Sequence, residues 1–371
     1  MAASPLRLLI VSHSLSGGGA ERFAATLLRH LDRSRFAPAA CLAKDDRRYG
    51  APAGVRIETL GYRGLASLPG AVRRLRAHLE SERPELVLSN VLSTNCLTGA
   101  ALAGTSLELP WVARLGNAPG LGEPWYQRLA ARRFYPRACR VVANSQGMVA
   151  AAAREYPAIA SRLEAVPNPT DFAAIDRLAG EPAQLGRRQG RLQLLWLGRL
   201  SAQKRPELAL EILARLRGKL DAGLWLCGEG PLRPRLARQA RRLGLGDRLE
   251  MPGFVANPFA LMREADLLLA TSDFEGLPNV LIEAQGLGLP AVATRCPHGP
   301  DEIVSDGATG RLYPVRDVAS GVEGVLELGR DAERRQAMRE AARSQARERF
   351  DLPRVLPRWQ SLLLAAAGRS A

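Results

Sequence analysis

The stretch Asp273 to Glu283, reading Asp-Phe-Glu-Gly-Leu-Pro-Asn-Val-Leu-Ile-Glu, sets one carboxylate in a loop and another inside the helix that follows. Gly276 and Pro278 break the chain after the strand-like run Leu267 to Thr271, and Pro278 suits the first turn of a helix running through Gln285. Backbone N–H groups at Leu277, Asn279 and Val280, with the positive end of the helix dipole, make a site for phosphate. Ionised carboxylates only accept hydrogen bonds, so Glu275 and Glu283 on either side suit a ligand carrying hydroxyls beside phosphates. A nucleotide sugar has both.

Cations that answer such a ligand stand at Arg199 and Lys204, flanking the turn Leu200-Ser201-Ala202-Gln203 after the strand-like run Leu192 to Gly198. A departing diphosphate gains negative charge as the sugar bond breaks, so fixed cations there stabilise the transition state more than the ground state. Lysine occurs only at Lys44, Lys204 and Lys219 in a chain whose positive charge is otherwise arginine, so a lysine kept at position 204 carries more weight than any single arginine. The alternative is a solvated pair on a surface loop.

Three glycine turns follow strand-like runs. Gly17-Gly18-Gly19-Ala20-Glu21-Arg22 lies between the first such run and a helical stretch, where backbone can approach a ligand closely. It departs from the dinucleotide fingerprint, with Arg22 where the third glycine belongs, and it also serves as a plain strand-to-helix connection. Gly228-Glu229-Gly230-Pro231 offers a small-residue floor for a base or ribose, and Met251 to Val255, including Phe254, lies beside it; both read equally well as turns. His13 and His298 sit just beyond strands, where doubly wound sheets bind ligands, although a lone histidine is more often structural.

These groups need two scaffolds. The 371 residues exceed the size at which one core usually keeps growing, which predicts two domains. Short Leu/Val runs alternate twice with Ala/Leu/Arg stretches at helical spacing, the pattern of parallel sheets covered on both faces. The expected strands are Leu6 to Ser12, Ala39 to Leu42, Arg56 to Leu60, Leu86 to Ser89, Trp111 to Arg114, Val141 to Ala143 and Glu164 to Val166. In the second half they are Leu192 to Gly198, Leu224 to Gly228, Leu249 to Pro252, Asp266 to Thr271, Ala291 to Thr294 and Arg311 to Tyr313. The Pro/Gly/Arg-rich stretch Pro167 to Gly190 places the boundary near Pro169, giving domains 1–168 and 169–351, with a last helical segment in 352–371.

Apolar content of 46% and charged content of 24% are those of a soluble globular chain, and no apolar run approaches a membrane span. The expected location is cytoplasmic. The five cysteines lack paired spacing, which argues against disulfides and zinc, and no metal site is expected. A net charge of +15 is compatible with nucleic acid, an anionic membrane or acidic substrates. Trp125 to Arg140 is cationic and aromatic at once, either a helix lying on an anionic bilayer or an aromatic stripe facing the core beneath a solvated Arg face.

Together these motifs resemble the retaining GT-B glycosyltransferases of family four, which include bacterial polysaccharide and lipopolysaccharide sugar transferases. The likeness rests on Gly17 to Arg22, Pro167-Asn168-Pro169, Gly198-Arg199-Leu200 with Lys204, Gly228 to Leu232, the spaced glutamates Glu275 and Glu283, and Cys296 to Glu302. It implies an α/β GT-B fold of two Rossmann-like domains facing a cleft, acceptor side first and nucleotide-sugar side second, with the C-terminal helix crossing back to the first. It also implies that Arg199 and Lys204 hold the diphosphate, Glu283 the ribose and Glu275 the sugar hydroxyls, while Gly276 to Val280 supply backbone donors and Gly17 to Gly19 close over the phosphates. No cofactor or bound metal is implied.

The expected donor is a nucleotide-diphosphate sugar, UDP-linked, and the expected acceptor a lipid-linked chain or polysaccharide at the inner face of the membrane, with peripheral contact to anionic lipid and no nucleic acid. Many members carry a histidine where this chain reads Ser89 to Asn95, which leaves Asn95, Arg114 and Asn117, with His13 and His298, as acceptor-side candidates. The rivals are an epimerase or phosphorylase of the same fold, or a cationic glycan- or nucleic-acid-binding protein without turnover.

Overall fold

A computed structural model describes residues 4–50, 52–187 and 189–369. The ends of the assigned segments, at 1–3 and 370–371, and Arg188 in the boundary stretch lie outside the described residues. The chain divides into two compact units, Met1–Pro169 with Leu352–Ala371, and Thr170–Asp351.

The first unit is built on seven parallel strands: β1 Leu6–Ser12, β2 Phe36–Leu42, β3 Ile57–Thr59, β4 Leu86–Asn90, β5 Trp111–Arg114, β6 Arg140–Ala143 and β7 Leu163–Ala165, in the order β3-β2-β1-β4-β5-β6-β7. The second unit has six, β8 Leu192–Leu197, β9 Ala222–Cys227, β10 Leu249–Gly253, β11 Leu267–Ala270, β12 Ala291–Thr294 and β13 Gly310–Tyr313, in the order β10-β9-β8-β11-β12-β13. Every pairing is parallel, and helices alternate with the strands in both units. This is the α/β architecture of two Rossmann-like units.

The two-residue period of a strand explains the cores. In β1, Leu6, Leu8 and Ile10 face one cluster with Phe23 and Leu27, while Leu9 and Val11 face another with Leu75 and Trp111. The last helix, Leu352–Ala366, belongs to the first unit: Trp359, Leu362 and Leu363 enter the cluster on the Leu6 face. Pro357 sits inside this helix. In the second unit Leu194, Trp196, Leu267 and Leu269 share one core, and Leu195, Trp225, Leu268 and Ala293 the other.

Strand order sets where ligands can go. Crossovers reverse direction between β1 and β4 in the first sheet and between β8 and β11 in the second. At such a reversal the loops beyond the carboxyl ends of adjacent strands part and leave a crevice. The glycine turn at Gly17 follows β1, Lys204 follows β8 and Glu275 follows β11.

Candidate functional site

In the second unit the Lys204 ammonium lies 2.5 Å from Glu275 Oε1, bridging the β8 and β11 loops across the reversal. Ser272 Oγ donates to the same carboxylate oxygen at 2.6 Å. The Ser272 carbonyl in turn accepts from Thr294 Oγ1 at 2.7 Å. Lys204, Thr271, Ser272, Glu275, Thr294 and Cys296 line one small cavity there. Burial, helped by the Glu275 charge, pushes the Cys296 thiol up to about 12, which leaves it inert as a nucleophile.

The pair is held by hydrogen bonds between the two loops. Thr271 Oγ1 accepts from Trp196 Nε1 at 3.0 Å and lies 2.8 Å from the Lys204 carbonyl and 2.9 Å from that of Arg205. Asp273 N–H donates to the Gln203 carbonyl at 2.8 Å, and Gln203 Nε2 returns a bond to the Phe274 carbonyl at 2.9 Å. Asp273 also takes a two-pronged contact from Arg316, at 3.0 and 2.8 Å, and a third from Arg205 at 3.2 Å. Arg205 and Arg316 both adopt positive φ, 49° and 65°, a strained choice for residues other than glycine.

Behind the pair, Glu275 N–H reaches the Pro297 carbonyl at 3.3 Å, and Gly299 (φ 94°) packs so closely that a methyl would meet the Gly276 carbonyl at 2.5 Å. Gly276, Leu277 and Pro278 are buried. The helix spans Asn279–Gly286, one residue later than the sequence predicts: Pro278 caps it from outside, accepting from Leu281 N–H at 2.9 Å. Asn279 and Val280 open its first turn, and Glu283 is buried within it.

The Gly198 and Gly228 turns have a packing explanation. Gly228 (φ 141°) and Gly230 (φ 156°) lie where only glycine is comfortable, and a methyl on either would collide with the backbone of Gly198 or Leu200. Leu200 N–H donates to the Glu229 carbonyl at 2.8 Å, and Gly228 N–H to that of Gly253 at 2.7 Å. Arg199 is exposed and does not line the Lys204 cavity; the Glu229 carboxylate and Phe254 are also exposed. His298 is half-buried at φ 65°.

In the first unit, Gly17 has φ 97° and its carbonyl accepts from Tyr49 Oη at 2.9 Å; Gly18 caps the helix that begins at Gly19. His13 sits at the mouth of β1, its ring 6.5 Å from that of Tyr62 and nearly perpendicular to it. Asn117 is half-buried in the loop after β5. Two acceptor-side expectations need correction. Asn95 is fully buried, donating to the Arg114 carbonyl and Tyr135 Oη and accepting from Ser89 Oγ, so its amide is spent inside the fold. Arg114 is 1% exposed and bonded to Asn90 and Asn168, so it reaches no surface ligand. Burial pulls its guanidinium down to about 9, with Glu21 opposing.

The aromatic stretch Trp125 to Arg140 divides: Trp125 is 74% and Leu129 61% exposed, so its first part faces solvent, whereas Tyr135 is buried and Phe134 packs beside it against the core. Among the described residues no group of three or more His, Cys, Asp or Glu could hold a metal ion, and no helix is long and apolar enough to cross a membrane.

Sequence reasoning missed Thr271, Ser272, Asp273, Gln203 and Thr294. The available signal was the polar run Thr271-Ser272-Asp273 directly after an apolar strand, three residues of loop that have to satisfy one another.

Two switch-point units, one of them with an ammonium–carboxylate pair, define an α/β protein of two Rossmann-like units, and the comparisons narrow this. The pattern of the family described as Glycosyl transferases group 1 matches residues 180–345, and that of Glycosyltransferase Family 4 matches 17–174. The chain belongs to these glycosyltransferases.

One relative is the N-acetylgalactosamine-N,N'-diacetylbacillosaminyl-diphospho-undecaprenol 4-alpha-N-acetylgalactosaminyltransferase of Campylobacter jejuni, 29% identical over 60% of this chain and 59% of that protein. From the same organism, the GalNAc-alpha-(1->4)-GalNAc-alpha-(1->3)-diNAcBac-PP-undecaprenol alpha-1,4-N-acetyl-D-galactosaminyltransferase is 24% identical over 96% of this chain and 98% of its own. The matched stretch spans 44% of a Methanocaldococcus jannaschii glycosyltransferase, so several relatives are matched over only about half of their length. The Anabaena HepE protein in complex with UDP-glucose shares the fold, with a TM-score of 0.80 at 22% identity over 96% of this chain and 99% of that one. Sucrose-phosphate synthase from Thermosynechococcus elongatus does likewise, with a TM-score of 0.83 at 16% identity over 96% and 98%.

Proposed function

We propose that the chain moves a hexose or N-acetylhexosamine from a UDP-linked sugar to a lipid-linked or polysaccharide acceptor, with retention at the anomeric carbon. The observation that carries this reading is the Lys204–Glu275 contact at the β8/β11 reversal. The two charges neutralise each other across 2.5 Å. A diphosphate brings charge that Lys204 answers, and Glu275 then accepts hydrogen bonds from sugar hydroxyls. Arg199 shares the diphosphate, Glu283 takes the ribose, and the start of the helix Asn279–Gly286 supplies backbone donors. Charge on the departing phosphate is thereby stabilised as it grows, and that phosphate oxygen receives the proton of the attacking hydroxyl on the same face of the sugar. No bound metal is assigned a part.

Two relatives named as transferases acting on undecaprenol-linked chains, and a fold neighbour in complex with UDP-glucose, support this choice of acceptor and donor. The test is a panel of UDP-, GDP- and ADP-sugars with lipid-linked and polysaccharide acceptors, followed by NMR of the new anomeric centre. The proposal requires acceptor-dependent nucleotide release and a retained anomer, both lost in Glu275→Gln. An isomerised donor sugar would identify an epimerase. Phosphate-dependent cleavage would identify a phosphorylase, and salt-sensitive binding without turnover a cationic binding protein.

A second reading concerns location. Trp125, Tyr126 and Leu129 are exposed on a helix whose last turn carries Arg132, paired with Glu155 at 3.0 Å, and the exposed Arg133. Rings at headgroup depth beside cations suit an anionic lipid surface. Co-sedimentation with anionic vesicles, abolished in a Trp125→Ala/Leu129→Ala double variant and absent with neutral vesicles, is the expected result. Equal pelleting of variant and wild type would end this reading.

A further inference from the structure

We propose that Asn90 and Arg114 are positioning residues for the glycine turn of the first unit, fixing it through the helix that follows. The inference rests on the reading of Gly17 to Gly19 as a substrate-contacting turn. Arg114 ends β5 inside the protein. Its Nη1 donates to Asn90 Oδ1 at 2.6 Å and its Nη2 to Asn168 Oδ1 at 2.5 Å. Asn90 Nδ2 donates onward to the Ala20 carbonyl at 2.5 Å, in the first turn of the helix Gly19–His30. The Arg114 guanidinium also lies over the Phe23 ring at 4.2 Å, and Phe23 stacks at 4.7 Å on Trp359, whose Nε1 donates to the Pro167 carbonyl. Arg114 thus meets that helix directly at Phe23 and through Asn90 at Ala20, and with Trp359 also holds the Pro167–Asn168 segment where the chain leaves the unit.

Stability alone does not explain this arrangement. Both hydrogen-bonding partners of the guanidinium are neutral amides, and its Nε is buried without a partner. The Glu21 charge offsets only part of the burial; a buried cation without a carboxylate in hydrogen-bond contact is costly, and an apolar side chain of similar volume is commonly neutral or better for stability. Strain collects at the same place. Val91, next to Asn90, has φ 77°, an outlier for a β-branched residue, and donates its N–H to the Arg114 carbonyl at 3.1 Å. Gly116 leaves room for it, since a methyl there would meet Val91 Cγ1 at 2.7 Å. A desolvated charge and a strained residue at the β1/β4 reversal mark a place where geometry is held at the expense of stability.

Asn90→Asp separates holding the turn from holding the fold. Aspartate still accepts from Arg114, now as an ion pair, but it cannot donate to the Ala20 carbonyl. The expected result is a melting temperature no lower than wild type, a roughly tenfold to hundredfold fall in kcat/KM, and faster hydrogen exchange confined to the amides of Gly19 to Phe23. Gly17→Ala, strained at φ 97° with open space around it, tests the underlying reading in parallel. Wild-type turnover in Asn90→Asp with loss in Gly17→Ala overturns the positioning role and leaves the turn's role standing. Wild-type turnover in Gly17→Ala removes both. Should Asn90→Asp fail to fold, Arg114→Lys, whose ammonium lacks the planar fork, is expected to show the same exchange pattern, and unchanged exchange at Gly19 to Phe23 would refute the inference.

Discussion

Replacing Thr271 by valine keeps the shape of the side chain and removes one hydroxyl, so the consequence can be worked from the hydrogen bonds that hydroxyl makes. Trp196 Nε1–H loses its acceptor at a site where both residues are almost fully enclosed. An orphaned buried donor costs about 1–3 kcal/mol. The carbonyls of Lys204 and Arg205 lose their shared donor, worth about 1 kcal/mol more. For a unit the size of Thr170–Asp351, a total of about 2–4 kcal/mol lowers the melting temperature by roughly 5–10 °C. Turnover falls too, because the loop carrying Lys204 is no longer tied to the β11 loop. Scanning calorimetry of the full chain, paired with a transfer assay, reads both effects. Thr271→Ser keeps the hydroxyl and is expected to restore most of each. A valine variant that melts within 1 °C of wild type and turns over normally would refute the reasoning; a serine variant as poor as valine would show that the hydroxyl alone does not hold the loops.

Three further outcomes are expected. Gly228→Ala forces a methyl against the Gly198 backbone at a φ only glycine tolerates, costing about 1–3 kcal/mol from strain before the collision is counted; Gly186→Ala, with open space, should melt like wild type. Lys204→Ala should lower turnover about a hundredfold or more, as expected for removal of a preorganised charge, with an unchanged circular dichroism spectrum. Glu123 has its pKa raised above 4.5, chiefly by burial, with the Gly120 N–H bond opposing. Its neutral form therefore supports the first unit below pH 4.5, and that support is lost as pH rises through the raised value. Glu123→Gln should melt higher than wild type at pH 7 and converge with it towards pH 4; a gap that widens on acidification would contradict the burial argument.

Much of this fold is written in local pattern. Each expected strand appears within a few residues of its place, and Trp111–Arg114 and Ala291–Thr294 have the expected limits, because a buried parallel strand is a short apolar run between turn residues. Sequence pattern is weaker on hydrogen bonds between distant residues. Nothing in the spacing of Trp196, Lys204 and Thr271 reveals that one hydroxyl joins them across more than sixty positions. Arg114 was obscured by the abundance of arginine, and its position at the end of an apolar strand was the remaining sign that it points inward. Asn95 misled because a polar residue near a strand end looks available until Ser89 and Tyr135 are seen to consume it. For Trp125 to Arg140 the sequence leaves two alternatives open because apolar helical spacing fits either, and the structure divides them: Trp125 and Leu129 mark a surface while Tyr135 is buried.

The central claim is that Lys204, poised against Glu275 at the β8/β11 reversal, is the group that takes hold of the donor's diphosphate. Isothermal titration of UDP, GDP and ADP into wild type and Lys204→Met tests it without any knowledge of the acceptor. The account predicts that one nucleoside diphosphate binds wild type and that Lys204→Met weakens it about tenfold or more, whereas Lys219→Met changes nothing. Equal affinity in wild type and Lys204→Met would contradict it.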